Sequence, residues 1–358
     1  MSDFGVYVHV PFCAHRCDYC AFATYDDRDH LQDAYVAAVL SEIEHAKDEG
    51  LPAATSVFFG GGTPSRLTPE QLLRILHAID KTLDCEVTVE CNPEDASIER
   101  LVAYRDGGVN RMSYGVQSTQ PAVLADLGRR HGTMAHREVA ERTHQVGFAS
   151  WNMDLIVGSR AESLDDVRAT LGDMLSLDNP PPHISCYALT PEPATPLGQD
   201  PARHPDEDET ADAYDLVGEV LGANGYLWEE ISNWAKPGHE CRHNHLYWNH
   251  GNYRGFGSAA HSHVDGRRFW NVRTPDRYIA AIESGGSHLG GEELLDASVQ
   301  AFERDSLALR TSHGVPLEAF ASLDEIAHLV EVSDDRVTLR PKARLVANQV
   351  ILRLKSAQ

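Results

Sequence analysis

The chain has 358 residues, enough for two or three domains and a large buried core. It carries 54 acidic against 31 basic residues, a net charge of -23, which argues against a nucleic-acid-binding surface and against an electrostatic anchor to anionic lipid. No run approaches the length needed to span a bilayer, and the N-terminus lacks the basic and apolar stretches of a secretion signal, so the expected compartment is the cytoplasm.

A first strand is expected over residues 6–10, and it runs straight into Cys13-Ala-His-Arg-Cys17-Asp-Tyr-Cys20. Three thiols this close cannot all pair with one another as disulfides. Soft thiolates at this spacing can hold three corners of an iron–sulfur cluster. Position 22, where a fourth ligand is sought, is Phe22, so one iron would stay open to another ligand. The competing readings are a zinc site short of a ligand and three packed cysteines. The odd total of seven cysteines fits a reducing compartment better than a disulfide scaffold.

A helix is expected over 31–46, with Leu31, Ala34, Tyr35, Ala38, Leu40 and Ile43 near 3.6 spacing. The strand over 56–59 ends in Gly60-Gly61-Gly62-Thr63-Pro64. Three glycines admit close approach of a ligand and leave backbone N–H groups free to face it; a tight turn is the alternative. The loop has neither the Lys-Ser/Thr of a P-loop nor a dinucleotide fingerprint. Thr68, Pro69 and Gln71 mark a capped helix start. The strand over 86–90 ends in Glu90-Cys91-Asn92-Pro93, a rim carboxylate suited to a ribose diol or to capping. Cys85 and Cys91 read as packed thiols. A helix over 98–105 stops at Gly107-Gly108.

The strand over 111–116 puts Arg111, Ser113, Gly115 and Gln117 on one face, and a polar inner face lines a site. Arg129 offers a bidentate fork to a ligand carboxylate. Asp154, a lone carboxylate in the apolar strand over 151–157, is a hydrogen-bond hub or a ligand contact. Ser163 and Asp166 cap the next helix, and a sixth strand follows over 183–189. Six strand–helix repeats predict a parallel sheet curled into a full or partial barrel, with ligands at the carboxyl ends of its strands.

Residues 191–205 read as a proline-rich loop and 206–223 as a helix. The stretch over 225–269 is dense in Trp, Tyr, His and Asn, and 285–291 reads as a glycine-rich linker. From 294 onward the expectation is two helices, a two-stranded ribbon and a last helix, a winged-helix-like module. The domain boundaries expected are 1–225, 226–292 and 293–358.

The ordered motifs Tyr7-x-His9-x-Pro11-Phe12-Cys13, Cys13-x3-Cys17-x2-Cys20, the glycine loop, Glu90-x-Asn92-Pro93, Arg111-x-Ser113-x-Gly115-x-Gln117-Ser118 and Asp154-Leu155 resemble the radical S-adenosylmethionine superfamily. The resemblance implies an α/β fold, a partial (β/α)6 barrel. It implies a [4Fe–4S] cluster on Cys13, Cys17 and Cys20, whose open iron takes the amino and carboxylate groups of S-adenosylmethionine. One electron then cleaves that molecule to methionine and a 5′-deoxyadenosyl radical. Tyr7, Tyr19, Gly62, Thr63, Glu90, Gln117, Arg129 and Asp154 are carried over as S-adenosylmethionine contacts.

More narrowly, the chain resembles the branch holding the oxygen-independent coproporphyrinogen III dehydrogenases and the HemW-type haem chaperones. The dehydrogenases carry a fourth cysteine where Phe22 stands. His243-Asn244-His245-Leu246-Tyr247-Trp248 matches the H-N-x-x-Y-W motif of the chaperones, flanked by Ser232-Asn233 and Gly255-Phe-Gly-Ser-Ala-Ala-His261. The departure is Gly158-Ser-Arg-Ala-Glu162, where the family has a Leu-Pro-Gly turn. The resemblance implies haem as cargo and haem-accepting respiratory membrane proteins as partners. A homodimer is a further expectation. Imidazole suits haem iron and aromatic faces suit the macrocycle. His243 is the candidate haem ligand, with His261, His250 and Cys241 as rivals, against a hydrogen-bonded structural role. Anaerobic decarboxylation of coproporphyrinogen III is the alternative function, and a cluster-bearing scaffold the third.

Overall fold

In a computed structural model describing residues 3–357, the chain opens with strictly alternating strands and helices. These are β1 (Phe4–Val10), α1 (Gln32–Asp48), β2 (Ala54–Gly61), α2 (Pro69–Ala78), β3 (Lys81–Cys91), α3 (Ile98–Asp106) and β4 (Arg111–Gln117). Two helices, α4 (Pro121–Asp126) and α5 (Ala135–Val146), lead to β5 (Ser150–Val157), then α6 (Leu164–Leu175), β6 (His183–Ala188) and α7 (Glu207–Ala223). All six expected strands form, as do the expected helices between them. Thr68 and Gln71 make the reciprocal capping box at α2, and Ser163 and Asp166 make it at α6. Each such cap is worth about 1 kcal/mol by satisfying backbone groups a helix end leaves open.

Strands β1 to β6 pair in parallel in sequence order. Their buried faces carry Val, Ile, Phe and Leu packed against the helices in one core that runs from Phe4 to Ile279. The sheet does not close. Beyond β6 come β8 (Asn233–Ala235) and β7 (Leu227–Glu230), both antiparallel. Beyond β1 comes β9 (Asn252–Phe256), parallel to it, and then the antiparallel β10 (His261–Val264), β11 (Arg267–Asn271) and β12 (Leu289–Leu294). The result is one open twelve-stranded sheet, a partial rather than a full barrel.

Of the glycine-rich stretch expected as a linker, residues 285–288 are turn and loop, while Leu289, Gly290 and Gly291 already belong to β12. Gly291 pairs with Trp270, and a Cβ there would lie 2.4 Å from the Trp270 ring, so only glycine admits that pairing. Helix α8 (Arg242–Trp248), which holds the H-N-x-x-Y-W motif, packs against β1, β2 and β9. Its first amides, on Arg242 and His243, donate to the Glu86 carboxylate at 3.1 Å each, an acidic cap on a helix N-terminus. A Cβ on Gly5 would meet Leu246 at 2.5 Å, so the bare backbone of β1 is what lets α8 seat. Helix α9 (Pro275–Glu283) covers α1.

After β12, helix α10 (Ala297–Leu309) leads into a three-stranded sheet of β13 (Val315–Pro316), β14 (Val330–Ser333) and β15 (Arg336–Leu339), with a short α11 (Ala347–Ile351) behind it. These close a second core, from Leu309 to Leu354. The ribbon and its turn at Asp334-Asp335, both at positive φ, stand where expected. The second helix expected ahead of the ribbon does not form; a single 3-10 turn at Leu317–Ala319 takes its place. Phe320, Leu323 and Ile326 fill the second core from turns, and their three-residue spacing mimics a helix period.

Candidate functional site

The carboxyl ends of the parallel strands enclose a cavity of about 400 Å³. Cys13, Cys17 and Cys20 form one wall; Tyr19, Gly62, Thr63, Glu90, Gln117, Arg129 and Asp154 face them. Strand register explains the gathering. Glu90 pairs with Ser113 and Gly115 with Asp154, so alternation turns these residues to the same side. The cysteine loop is pinned from two directions. Asp18 N–H donates to Leu127 O and Leu197 N–H donates to Asp18 O, while Arg203 bridges Asp18 and Asp126 at 2.9 and 3.0 Å. The proline-rich loop thus clamps the thiols over a small apolar cluster that includes Leu127, Ile156 and Leu197.

A hydrogen-bond chain ties the thiols to the strand ends. Thr63 Oγ1 donates to Cys13 Sγ at 3.6 Å and accepts from Asn92 Nδ2 at 3.3 Å. Arg129 Nη1 donates to Cys17 Sγ at 3.5 Å, and its Nη2 donates to Asn92 Oδ1 and to Gly115 O. The fork expected for a ligand carboxylate is thus largely spent inside the protein, and Nε is its unpartnered buried atom. The free amides expected in the glycine loop are also used: Gly62 and Thr63 N–H donate to Val10 O and Phe12 O, both at 2.8 Å. A Cβ on Gly62 would lie 2.7 Å from Phe12 O, so close backbone packing accounts for that glycine.

Burial pushes the Cys13 thiol up to about 11, so a metal that takes it as thiolate displaces a proton. Burial, then the neighbouring Asp154, raises Glu90 to about 8. Asp154 accepts from Asn152 at 2.7 Å and Ser113 at 3.4 Å, making it both the hub and a cavity wall. Gln117 holds φ at +67° at the end of β4, with Oε1 buried and unpartnered. A paired carboxyl set with orphaned polar atoms beside it fits a cationic, hydrogen-bonding ligand.

Among the described residues no three His, Cys, Asp or Glu side chains converge on a single-ion site. Cys91 also touches the cavity, but its thiol donates to Asn92 O at 3.2 Å. Cys85 and Cys241 are buried apart from it.

Two expected residues stand elsewhere. Tyr7 lines not this cavity but a second one of about 640 Å³, with its hydroxyl 3.1 Å from His9 Nδ1. His243 is 1% exposed. Its Nδ1 pairs with Ser56 Oγ at 2.9 Å and its Nε2 with Tyr247 hydroxyl at 2.8 Å, and the ring stacks on Phe58. Both nitrogens are occupied, so the geometry gives His243 the structural role; burial alone lowers its pKa to about 3. Cys241 is likewise enclosed against Glu86. His250 and His261 line the second cavity. The residues missed from the sequence are Asn92, which joins thiol to guanidinium, and Tyr187 with Leu189 on the far wall. Asn92 stood in a quoted motif; the alternation of β6 would have pointed to Tyr187.

The model of the Radical SAM superfamily matches residues 7–174. The "Heme chaperone HemW" of Mycobacterium tuberculosis is 36% identical over 369 residues, spanning 98% of this chain and 94% of the relative. That of Bacillus subtilis is 34% identical, spanning 97% of each. That of Escherichia coli is 35% identical, spanning 85% of this chain and 81% of the relative. The solved coproporphyrinogen III oxidase (HemN) of Escherichia coli, a radical SAM enzyme, superposes with a TM-score of 0.87 at 21% identity, covering 100% of this chain and 91% of that one, a likeness of fold. The family carries an iron–sulfur cluster and S-adenosylmethionine, and the thiol cavity has the donors for both. By its near-full-length identity to these relatives, the chain belongs to the HemW family within the radical SAM superfamily.

Proposed function

We propose that the protein is a cytoplasmic haem chaperone that takes up haem and passes it to respiratory membrane haem proteins. Cys13, Cys17 and Cys20 hold a [4Fe–4S] cluster, and Glu90, Gln117 and Asp154 orient S-adenosylmethionine beside it. When bound, the pair would supply one-electron chemistry at the strand ends. The protein's own part is to clamp the thiols through Arg129, Asn92 and Thr63 and to hold the carboxyl pair against a cation. The observation that carries the reading is Phe22. It stands two residues after the third thiol, 68% exposed, where the dehydrogenases carry a fourth cysteine, and it borders both cavities. Among the described residues no helix is long and apolar enough to cross a membrane, and the net charge is -23; in this reading, contact with a membrane acceptor falls to a protein surface. A homodimer fits this role.

The test is to reconstitute the cluster anaerobically and offer hemin, or coproporphyrinogen III with S-adenosylmethionine and a reductant. Stable hemin uptake without porphyrinogen conversion is expected. Decarboxylated product would sink the chaperone reading in favour of the dehydrogenase.

A further inference from the structure

We propose that the 640 Å³ cavity beside the thiol cavity is the haem site, with His261 as the ligand to iron and Arg273 as the partner of a propionate. The placement rests on the haem-chaperone reading. The volume lies within the roughly 300–1,000 Å³ of cofactor pockets. The walls suit the cargo. Phe22, Tyr7, Tyr247, Tyr253 and Leu307 give aromatic and aliphatic faces for a flat macrocycle.

Four histidines face this cavity, and their hydrogen bonds rank them. His9 is buried and spends both ring nitrogens, Nδ1 on the Tyr7 hydroxyl at 3.1 Å and Nε2 on Ala23 O at 3.0 Å. His263 Nδ1 is bound to Gly251 O at 3.0 Å, while its Nε2 is buried and the ring is covered by His250 at 4.4 Å between centroids. His250 Nε2 is held by Glu303 at 3.2 Å. His261 alone has no hydrogen bond to either ring nitrogen among the described residues, and it is exposed. Its ring lies flat on Trp270, 5.5 Å between centroids and 22° between planes, so its direction is set without spending a nitrogen. The pairing of β10 with β11 makes that stack, since His261 is opposite Trp270. The atoms packed round the ring, then the charge of Arg268, keep His261 below its ordinary pKa, which leaves a lone pair near neutrality.

The arginines rank in the same way. Arg268 is neutralised by Glu293 at 2.5 Å and Glu303 at 3.1 Å. Arg273 has no acidic partner among the described residues and is exposed at the same cavity. In a chain with 54 acidic residues, a free guanidinium on a cavity wall selects for an anionic group. One imidazole on an open rim also suits a carrier, because an acceptor's ligand can replace it.

The experiment is hemin titration of the full chain carrying its cluster. His261→Ala is expected to shift the Soret band and weaken binding about tenfold or more. Arg273→Glu is expected to weaken hemin but leave hemin dimethyl ester, which lacks the carboxylates, unchanged. Both side chains are exposed, and an unaltered melting midpoint and cluster spectrum confirm each variant's fold. An unchanged Soret band and affinity in His261→Ala, with the parent protein binding hemin, overturn the placement alone. A parent protein that binds no hemin overturns the chaperone reading and the placement with it.

Discussion

The thiol cavity takes its walls from the carboxyl ends of the parallel strands and the cysteine loop after β1, in sequence order. The histidine cavity takes its walls from the cysteine loop, the ends of β1, β2 and β3, and from α8, β9, β10, β11 and α10, the last five brought in by the way the sheet extends past β1. They share Ala21, Phe22, Gly61 and Glu90. The first is a network in which Cys13, Thr63, Asn92, Arg129 and Cys17 hold one another. The second leaves an imidazole and a guanidinium unclaimed. A fixed, resident group needs a wall whose donors are locked in place. A cargo that must leave needs few ties, and the difference between the two walls follows that distinction.

The largest effect expected is from Cys17→Ser. Two thiols do not retain the cluster, so iron content and the visible charge-transfer absorption of the reconstituted protein should be lost. Retention of full iron loading would break the contrast at its first term.

His243→Ala should cost the fold about 2–4 kcal/mol by orphaning Ser56 and Tyr247 in the core, read as a lower urea midpoint. Hemin affinity should stay within about twofold, since the ring does not reach the second cavity. Lost hemin binding with unaltered stability would return this residue to the list of ligands.

Glu90→Gln sharpens the shared wall. Between its ordinary 4.5 and about 8 the folded carboxyl keeps a proton that the unfolded chain has released, so stability falls as pH rises through that window. The slope approaches about 1.4 kcal/mol per pH unit at most. Glu90→Gln should flatten the decline when melting is followed from pH 5 to about pH 8.

Phe22→Ala should change stability by less than about 0.5 kcal/mol, because the ring is 68% exposed. Hemin release, measured by transfer to apomyoglobin, should quicken as one wall of the macrocycle is removed. A release rate equal to that of the parent would take Phe22 out of the haem site.

The signals differ in range. Cys13 to Cys20, the capping boxes at α2 and α6 and the apolar strands were legible because each is written within a few adjacent residues. Asp154 was legible as a carboxylate in a costly place and Arg129 as a fork for a carboxylate, but not what they bond. The Gly62 and Thr63 amides look free in the sequence, but Val10 O at the end of β1 and Phe12 O just after it take them. His243 looked like a ligand because composition cannot show that Ser56 and Tyr247 hold both nitrogens.

What the sequence determined by itself was the strand–helix alternation, the thiol loop and the acidic balance, all local in the chain or additive over it. Only the tertiary structure decided that the sheet stays open, that the end of the glycine-rich stretch enters its edge strand, and which histidine keeps its ring nitrogens free. Those depend on contacts between residues far apart in sequence, such as Ser56 with His243 and Cys17 with Arg129, which no spacing rule encodes.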